Sequence, residues 1–277
     1  MLPTPCTSHV PYTRVYEPAE DSFLLLDTLS SKSETDFLAS RFPPVSSSPP
    51  PLTLEIGPGS GVVLAFLTAH AQTLFSRRDI LTLGIDVNGF ACSATAATVA
   101  KAVATTEQQQ ARHQQQNHAD GKDDGAGIFL GAVQGDLAGA VRPGAVDVLV
   151  FNPPYVPTAE MPAVLPPPAP ASTTTMPPQE EETAFERDSR LLALSYAGGR
   201  DGMETTARLI EALPEVLSDR GCAYLLLCAQ NKPEQVKERI RALPGGGAGG
   251  WRAETVGTSG KQAGWEKLQI VRIWRDS

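Results

Sequence analysis

Four residues in the middle of the chain, Asn152-Pro-Pro-Tyr155, have the types and the spacing needed to hold a flat nitrogen group. They follow the apolar run Val148–Phe151, which predicts a buried strand. Each proline restrains the residue before it to extended backbone, so the side-chain amide of Asn152 and the carbonyl of Pro153 form a stiff pair of acceptors. This pair could bind both hydrogens of a planar NH2 group while Tyr155 stacks on its plane. The alternative is a proline-rich turn in which Asn152 is only a turn residue.

A glycine-rich turn lies between a predicted strand at residues 52–56 and a predicted helix from about Val62 to Leu74. Such a unit binds nucleotides, because glycines allow a tight turn and let a ligand approach the backbone closely. A dinucleotide fingerprint would need glycine or alanine at Val62, and a P-loop would need Gly-Lys-Ser/Thr; the sequence has neither. The carboxylate before the turn favours a ligand with positive charge. The motif consists of Glu55, Gly57, Gly59 and Gly61.

Two further acids follow predicted strands. Asp86 ends the second strand, where nucleotide-binding α/β units place the acid that binds the ribose hydroxyls. The alternative is an Asp that only begins the next helix, a role for which Asn88 competes. Asp136 follows the third strand and could accept a hydrogen bond from the exocyclic amine of an adenine, while Leu137 packs on the ring. A plain turn role for Asp136 explains the segment equally well.

The segment Tyr16–Leu29 predicts a helix near the N-terminus. Pro18 suits the first turn of a helix, and the acids Glu20 and Asp21 favour its N-terminal end. The helix could serve packing alone, or its start could cap a ligand pocket. Its predicted apolar stripe consists of Phe23, Leu25, Leu26 and Leu29.

A sheet must position these motifs. Strands alternate with helices along the chain, which predicts an α/β fold with a doubly wound, mostly parallel, seven-stranded Rossmann-like sheet, an antiparallel C-terminal hairpin and an N-terminal helical extension. The predicted strands are 52–56, 80–86, 128–134, 147–151, 223–229, 251–256 and 268–274. The predicted helices after the first two are 88–103, 204–217 and 233–243.

This predicted order of elements divides the chain into two parts. Residues 1–50 form an N-terminal extension and helix packed on the core, and residues 51–277 form the main domain. Low-complexity insertions are expected near 105–125, 156–184 and 243–250. The segment 197–202 could form part of a pocket floor or simply lead into the next helix.

Bulk composition narrows the possible partners and location. The chain has 277 residues, 41% of them hydrophobic, and a net charge of −8. An acidic chain is poorly suited to gripping a nucleic-acid backbone. It begins without a secretory signal and has no run of membrane-spanning length, so we expect a cytoplasmic protein that also reaches the nucleus. Without a C-x-x-C pair, neither a metal site nor a disulfide framework is predicted for Cys6, Cys92, Cys222 and Cys228, of which the last three should be reduced core residues.

Together these residues resemble the class I S-adenosylmethionine-dependent methyltransferases. Glu55–Gly61 resembles the first motif of that family, Asp86 its ribose-binding acid and Asp136 its adenine-side acid. The sulfonium cofactor is cationic near its methyl group, which agrees with the acids around the turn. Asn152–Tyr155 is similar to the motif of enzymes that methylate planar nitrogens, which include adenine N6, cytosine N4 and glutamine amides.

The order of the motifs narrows the resemblance to the eukaryotic HemK-like release factor glutamine methyltransferases. Tyr16–Asp27, Glu55–Val63, Asn152–Val156 and Ala197–Gly202 occur in the order expected of that family. The resemblance implies N5-methylation of the glutamine in the Gly-Gly-Gln motif of the class 1 translation termination factor. It also implies a heterodimer with a small zinc-binding methyltransferase activator protein. The insertion at 156–184 directly follows the catalytic motif and departs from the family pattern.

Carried over position by position, the resemblance assigns roles to individual residues. Asn152, Pro153 and Tyr155 are the expected catalytic residues. Ser22 stands where relatives often have threonine, a change that keeps the hydroxyl. The expected S-adenosylmethionine positions are Tyr16, Ser22, Glu55, Gly57, Gly59, Gly61, Asp86, Asp136, Leu137 and Asn152.

Other classes of function remain open from the sequence. The same pair of acceptors fits adenine N6 in nucleic acid, although the net charge of −8 and the lack of a basic run argue against a nucleic-acid partner. Lysine methylation of other proteins also suits such a pocket. A binding module that has lost catalysis is a third possibility, against which the intact Asn152–Tyr155 and Glu55–Gly61 motifs argue.

Overall fold

A seven-stranded sheet forms the centre of the computed structural model, which describes residues 2–45, 48–116, 125–162, 183–245, 249–260 and 267–276. The strands are β1 Leu52–Ile56, β2 Leu81–Asp86, β3 Ile128–Gln134, β4 Val146–Phe151, β5 Leu217–Cys228, β6 Trp251–Thr258 and β7 Leu268–Arg275. The helices are α1 Glu20–Leu29, α2 Lys32–Arg41, α3 Val62–Ala69, α4 Ala71–Phe75, α5 Gly89–Gln116, α6 Ala184–Tyr196, α7 Glu204–Val216 and α8 Pro233–Arg241.

The strand order is β3-β2-β1-β4-β5-β7-β6. β1 pairs in parallel with β2 on one side and with β4 on the other, while β7 lies antiparallel between β5 and β6. This confirms the predicted doubly wound sheet with an antiparallel C-terminal pair. β2 and β3 extend the sheet on one side of β1, and β4 and β5 extend it on the other, so the strand order reverses between β1 and β4. The crevice beyond the carboxyl ends of the strands at such a point is where open α/β sheets bind ligands.

The core lies on both faces of the sheet, because side chains alternate along a strand. On β4, Val148 and Val150 pack with α1 to α4, whereas Leu149 and Phe151 pack with α7 and α8. All six residues of β4 are buried. The strand that leads into the Asn-Pro-Pro-Tyr motif is therefore held by packing on both of its faces.

The N-terminal extension packs on this core through α1, but not as the predicted stripe describes. Leu25, Leu26 and Leu29 are buried, whereas Phe23 is 44% exposed. The helix begins at Glu20 and not at Pro18, with Ala19 at its N-cap. The helix α2, which was not predicted, is anchored by the buried Glu34, whose carboxylate accepts hydrogen bonds from Tyr224 and Arg272.

Three further predictions differ from the structure. The helix expected at residues 62–74 is two helices that meet at His70, which leaves helical geometry. Helix α5 continues to Gln116 through half of the insertion expected at 105–125, because alanine, glutamine and glutamate are good helix formers. The helix expected at 204–217 ends at Val216, and Leu217 begins a longer β5. Residues 117–124 lie outside the described part.

The insertion expected at 156–184 is described only at its two ends. Val156 forms a parallel bridge with Ala197, and residues 163–182 lie outside the described part of the chain. Thr183 begins α6 with a reciprocal capping box to Glu186. Of the stretch at 243–250, residues 246–248 lie outside the described part, and Leu243 packs against the core. Within the described ranges, no helix combines the length and apolar character that crossing a membrane requires.

Candidate active site

A cavity of about 320 Å³ lies at the carboxyl edge of the sheet. The ends of β1, β2 and β4, the turn after β3, the start of α1 and one side of α6 line it. The structure brings together there all the residues that the sequence proposed for the site except Gly61: Tyr16, Ser22, Glu55, Gly57, Gly59, Asp86, Asp136, Leu137, Asn152, Pro153 and Tyr155. Its charged lining residues are the acids Asp21, Glu55, Asp86 and Asp136 and the arginines Arg14 and Arg208.

The amide of Asn152 is held by a residue to which sequence reasoning gave no site role. Its Nδ2 donates to Oδ2 of Asp21 over 3.1 Å. The hydroxyls of Tyr16 and Tyr155 donate to the same oxygen, at 3.3 Å and 3.5 Å. Asp21 is only 3% exposed, although it lies in the first turn of α1. The available signal was its place inside the Tyr16–Asp27 motif, which the sequence related to a pocket-capping helix start.

This contact decides which way the amide of Asn152 faces. An ionised carboxylate only accepts hydrogen bonds, so the NH2 end of the amide must turn toward Asp21. The Oδ1 atom of Asn152 is then left as an acceptor, and it is buried without a hydrogen-bond partner among the described residues. An unpaired buried acceptor is costly. Asn152 is therefore prepared to receive a donor from a ligand.

The backbone of the motif is braced by the turn at residues 197–202. The amide of Gly198 donates to the carbonyl of Val156, and a side chain at Gly198 would collide with the Pro154 carbonyl. A side chain at Gly202 would collide with the Tyr155 carbonyl in the same way. Asn231 adds a donor to that carbonyl at 3.3 Å. None of the residues 197–202 lines the cavity, so of the two roles left open the structure supports a loop that leads into α7, which also braces the motif from outside the cavity.

The glycine turn after β1 adopts backbone conformations that side chains disfavour. Gly57, Gly59 and Gly61 have φ values of 62°, 55° and 77°. Gly61 caps α3 and lies outside the cavity; a Cβ there would come within 2.5 Å of the Cα of Thr95 on α5. Gly61 therefore serves the close packing of α3 against α5, and its predicted cofactor contact stays a prediction.

Asp86 at the end of β2 closes this turn. Its Oδ2 accepts the amide hydrogen of Gly59 at 3.1 Å and its Oδ1 accepts that of Asn88 at 2.8 Å. Burial raises the pKa of Asp86 to about 6 despite these two donors. The same carboxylate therefore shapes the glycine turn and lines the cavity. Asn88 is the residue whose side chain accepts from the first turn of α5, at the amide of Phe90, and ribose binding by Asp86 stays a prediction.

The acid proposed for the adenine side has an arginine partner. Nη2 of Arg208, on α7, lies 2.5 Å from Oδ2 of Asp136. Leu137 follows with a φ of 49°, an uncommon conformation for a residue other than glycine. Both acid and leucine line the cavity, as predicted. Arg208 was missed because it lies 72 residues away on another element.

Glu55 is the most perturbed acid of the cavity. Burial raises its pKa from 4.5 to about 8, with a smaller contribution from the charge of Asp86. Its Oε2 atom is buried and has no hydrogen-bond partner in the described part of the chain. A buried carboxyl of this kind favours a cationic ligand, because a nearby positive charge stabilises its ionised form.

Glu55 makes the stability of the ligand-free protein depend on pH. The unfolded chain ionises Glu55 at about pH 4.5 and the folded chain only near pH 8. The folded state therefore binds an extra proton between these values, and the free energy of unfolding falls as pH rises through this window, by up to about 1.4 kcal/mol per pH unit. We expect Glu55→Gln to remove this slope. Urea unfolding of both proteins at pH 5, 6, 7 and 8 measures this slope. If the free energy of unfolding changes with pH equally in both proteins, the assignment to Glu55 is wrong.

The cavity fits the cofactor that the sequence resemblance implied. The unpaired Oε2 of Glu55 and the excess of acids suit a sulfonium compound with an ammonium group. Gly57 and Gly59 line the cavity without side chains, so a ligand can approach the turn closely, and Asp86 and Asp136 can accept from hydroxyl and amino groups. S-adenosylmethionine supplies an electrophilic methyl group when bound. Among the described residues, His, Cys, Asp and Glu side chains form no group that could hold a metal ion.

Known proteins similar to this chain are methyltransferases. No family model matches it. It is 32% identical over 281 residues to the eRF1 methyltransferase catalytic subunit mtq2 of Schizosaccharomyces pombe, covering 99% of this chain and 96% of that protein. It is 31% identical over 278 residues to Methyltransferase HEMK2 of Mus musculus, covering 98% and 96%. A solved structure of the human METTL16 N-terminal domain in complex with SAH aligns with a TM-score of 0.48 and 14% identity, covering 97% of this chain and 75% of that one. The chain is an S-adenosylmethionine-dependent methyltransferase and belongs to the eukaryotic HemK-like release factor glutamine methyltransferases.

Proposed function

We propose that this enzyme methylates the side-chain nitrogen of the glutamine in the Gly-Gly-Gln motif of the class 1 translation termination factor. The observation that carries the proposal is the unpaired Oδ1 of Asn152, whose amide Asp21 holds in a single orientation. A relative at 32% identity is named as an eRF1 methyltransferase catalytic subunit, which supports the same substrate. A glutamine amide offers the planar NH2 group that such an acceptor binds.

The chemistry needs positioning more than proton removal. An amide nitrogen is a weak nucleophile because its lone pair is delocalised, and no side chain has to deprotonate it first. Oδ1 of Asn152 and the carbonyl of Pro153 would each accept one hydrogen and hold the nitrogen toward the methyl donor. The N–C bond would form as the S–C bond of the donor breaks, with the electron pair going to the sulfur compound that leaves. As the nitrogen gains positive character, both acceptors bind its hydrogens more strongly, and the methylated nitrogen then loses one of these hydrogens as a proton. They therefore stabilise the transition state more than the ground state.

The test is an incubation of the protein and its activator with S-adenosylmethionine that carries a labelled methyl group. The acceptors are the termination factor, the same factor with its Gly-Gly-Gln glutamine replaced, and an adenine-containing oligonucleotide. Label in the unaltered factor alone supports the proposal. Label in the oligonucleotide instead favours adenine N6, and label in the factor with the replaced glutamine points to lysine or another site. No label anywhere favours a module without catalysis.

We further propose that the chain is the catalytic subunit of a heterodimer with a small zinc-binding activator. The open edge strand β3 supports this partner. Ile128, Leu130 and Val133 on this edge are 52%, 53% and 40% exposed. An exposed apolar edge strand has unpaired backbone N–H and C=O groups with which a strand of another chain can pair. We expect the chain alone to be poorly soluble, and we assign the complex to the cytoplasm and nucleus.

A charge on the edge strand should disrupt this heterodimer. We expect Leu130→Glu to abolish co-purification with the activator or to weaken binding at least about tenfold, because the edge would have to bury a carboxylate. Val45→Glu is the matched control, since Val45 is similarly exposed but lies outside the sheet. Co-expression followed by size-exclusion chromatography measures the effect. Equal recovery of both complexes would move the interface away from β3.

A further inference from the structure

A shallow groove adjoins the cavity between the N-terminal segment and α6. One wall consists of Tyr12 and residues 15–19, and the other of Leu192, Ser195 and Tyr196 on α6. Tyr196 is 47% exposed and Leu192 is half-buried, so the described α6 wall of the groove is accessible to solvent, whereas Val15 on the other wall is buried. The side chains along it are largely apolar or aromatic.

The groove is continuous with the acceptor side of the cavity. Val15, Tyr16, Ser195 and Tyr196 line both, whereas Asp86, Asp136 and the glycine turn line the cavity alone. Tyr16 connects the two directly, because its hydroxyl donates to Asp21, which in turn holds Asn152. A molecule lying in the groove therefore enters the cavity beside Asn152, away from the residues that suit the nucleoside part of the cofactor.

An ion pair holds the two walls together. Nε of Arg14 lies 2.8 Å from Oδ2 of Asp188 on α6, and both side chains are partly buried. The guanidinium of Arg14 also stacks over the ring of Phe90 at 4.6 Å. The groove is thus a formed feature between fixed elements, and α6 starts with its own capping box at Thr183.

The charge of the groove argues for a peptide. Among the described residues that line the groove, Glu17 alone is an acidic or basic residue (Asp, Glu, Lys, Arg or His), so the groove offers no cation to a phosphate backbone. An apolar groove with aromatic walls suits an uncharged, extended chain. We infer that this groove binds the glycine-containing main chain next to the acceptor glutamine, while the glutamine side chain enters the cavity. This inference rests on the proposed function and adds the path by which a protein acceptor arrives.

The test uses the protein with its activator and two acceptors. One is a peptide that contains Gly-Gly-Gln with flanking residues, and the other is N-acetylglutamine amide, which has no flanks to fill the groove. The variant is Leu192→Glu, because Leu192 lines the groove and not the cavity. Phe185→Glu is the matched control: it makes the same kind of change on the same helix, at a side chain that is 80% exposed and lines neither site.

We expect Leu192→Glu to raise the KM for the peptide about tenfold, the scale of one lost apolar anchor. Its KM for N-acetylglutamine amide and its calorimetric affinity for S-adenosylhomocysteine should stay within about twofold, the precision expected for groups that do not touch the ligand. Phe185→Glu should change none of the three. If Leu192→Glu does not fold, Leu192→Ala should raise the peptide KM alone, by a smaller factor.

Other outcomes overturn the inference. An unchanged peptide KM in both Leu192 variants excludes the groove as the peptide path. An equal loss for both acceptors, or a loss of S-adenosylhomocysteine affinity, shows that Leu192 only supports α6. An oligonucleotide that is methylated by the normal protein, with the same sensitivity to Leu192→Glu, assigns the groove to nucleic acid. If the normal protein methylates no glutamine acceptor, the proposed function itself is wrong. That result differs from those above, in which the glutamine is methylated but the groove has no part in binding.

Discussion

We expect Asn152→Ala to lower the rate of methyl transfer about 10²–10³-fold, the cost of removing one oriented polar contact from a transition state. The side chain contributes the acceptor Oδ1, which is buried and unpaired among the described residues. Without it, only the Pro153 carbonyl remains to hold the NH2 group. Calorimetry should show nearly unchanged affinity for S-adenosylhomocysteine, because Glu55, Asp86 and Asp136 are untouched.

The distinction between kcat and affinity makes this prediction specific. Asn152 follows a strand whose residues are all buried, and its removal leaves the backbone of the motif braced by Gly198, Gly202 and Asn231. Circular dichroism and thermal unfolding should therefore resemble those of the unaltered protein. Near-normal turnover at saturating acceptor would remove Asn152 from the catalytic role, and a large loss of S-adenosylhomocysteine affinity would make it mainly a cofactor contact.

The second large effect concerns Asp21, which we regard as a positioning residue. We expect Asp21→Ala to lower kcat about 10²-fold, because the amide of Asn152 can then rotate and present NH2 where an acceptor is needed. The kcat of Asp21→Asn should lie between those of the unaltered protein and Asp21→Ala. The asparagine keeps an oxygen that can accept from Nδ2 of Asn152 over the same 3.1 Å contact. Single-turnover rates at saturating cofactor measure the effect.

A double-mutant cycle separates positioning from general destabilisation. If Asp21 acts through Asn152, the variant that carries both alanines should be no slower than Asn152→Ala alone. Two losses that multiply would mean that Asp21 acts independently, for example by supporting α1 or the hydroxyls of Tyr16 and Tyr155. A melting temperature that falls equally in Asp21→Ala and Asp21→Asn, with kcat lowered equally, would also contradict the positioning role.

The balance of charge in the cavity explains why the chain suits a cationic donor. Four acids and two arginines line it. Each arginine pairs with an acid, Arg14 with Asp188 on α6 and Arg208 with Asp136. Asp21, Glu55 and Asp86 then face the cavity without an ion-pair partner from the described residues. Burial keeps the pKa of Glu55 and Asp86 high, so a bound cation would draw both toward their ionised forms.

Many residues of the site could be predicted from the sequence because they directly follow predicted strands. Apolar runs predict strands, and in a parallel sheet the residues that follow successive strands meet at one edge. Asp86, Asp136 and Asn152 each follow such a run, and the structure places all three in one cavity. The glycine turn was readable for a similar reason, since glycine is the residue that accepts a positive φ at low cost.

Tertiary structure alone decided the contacts between distant elements. Asp21 and Asn152 are 131 residues apart, and their hydrogen bond depends on how α1 packs across the end of β4. The apolar pattern of α1 could not predict that packing, as the exposed Phe23 shows. The pairing of Asp136 with Arg208 and the placement of α6 beside Tyr16 depend equally on helix packing. Local sequence determines which groups stand at the ends of strands, whereas the orientation and charge of those groups depend on partners that only the folded chain brings near.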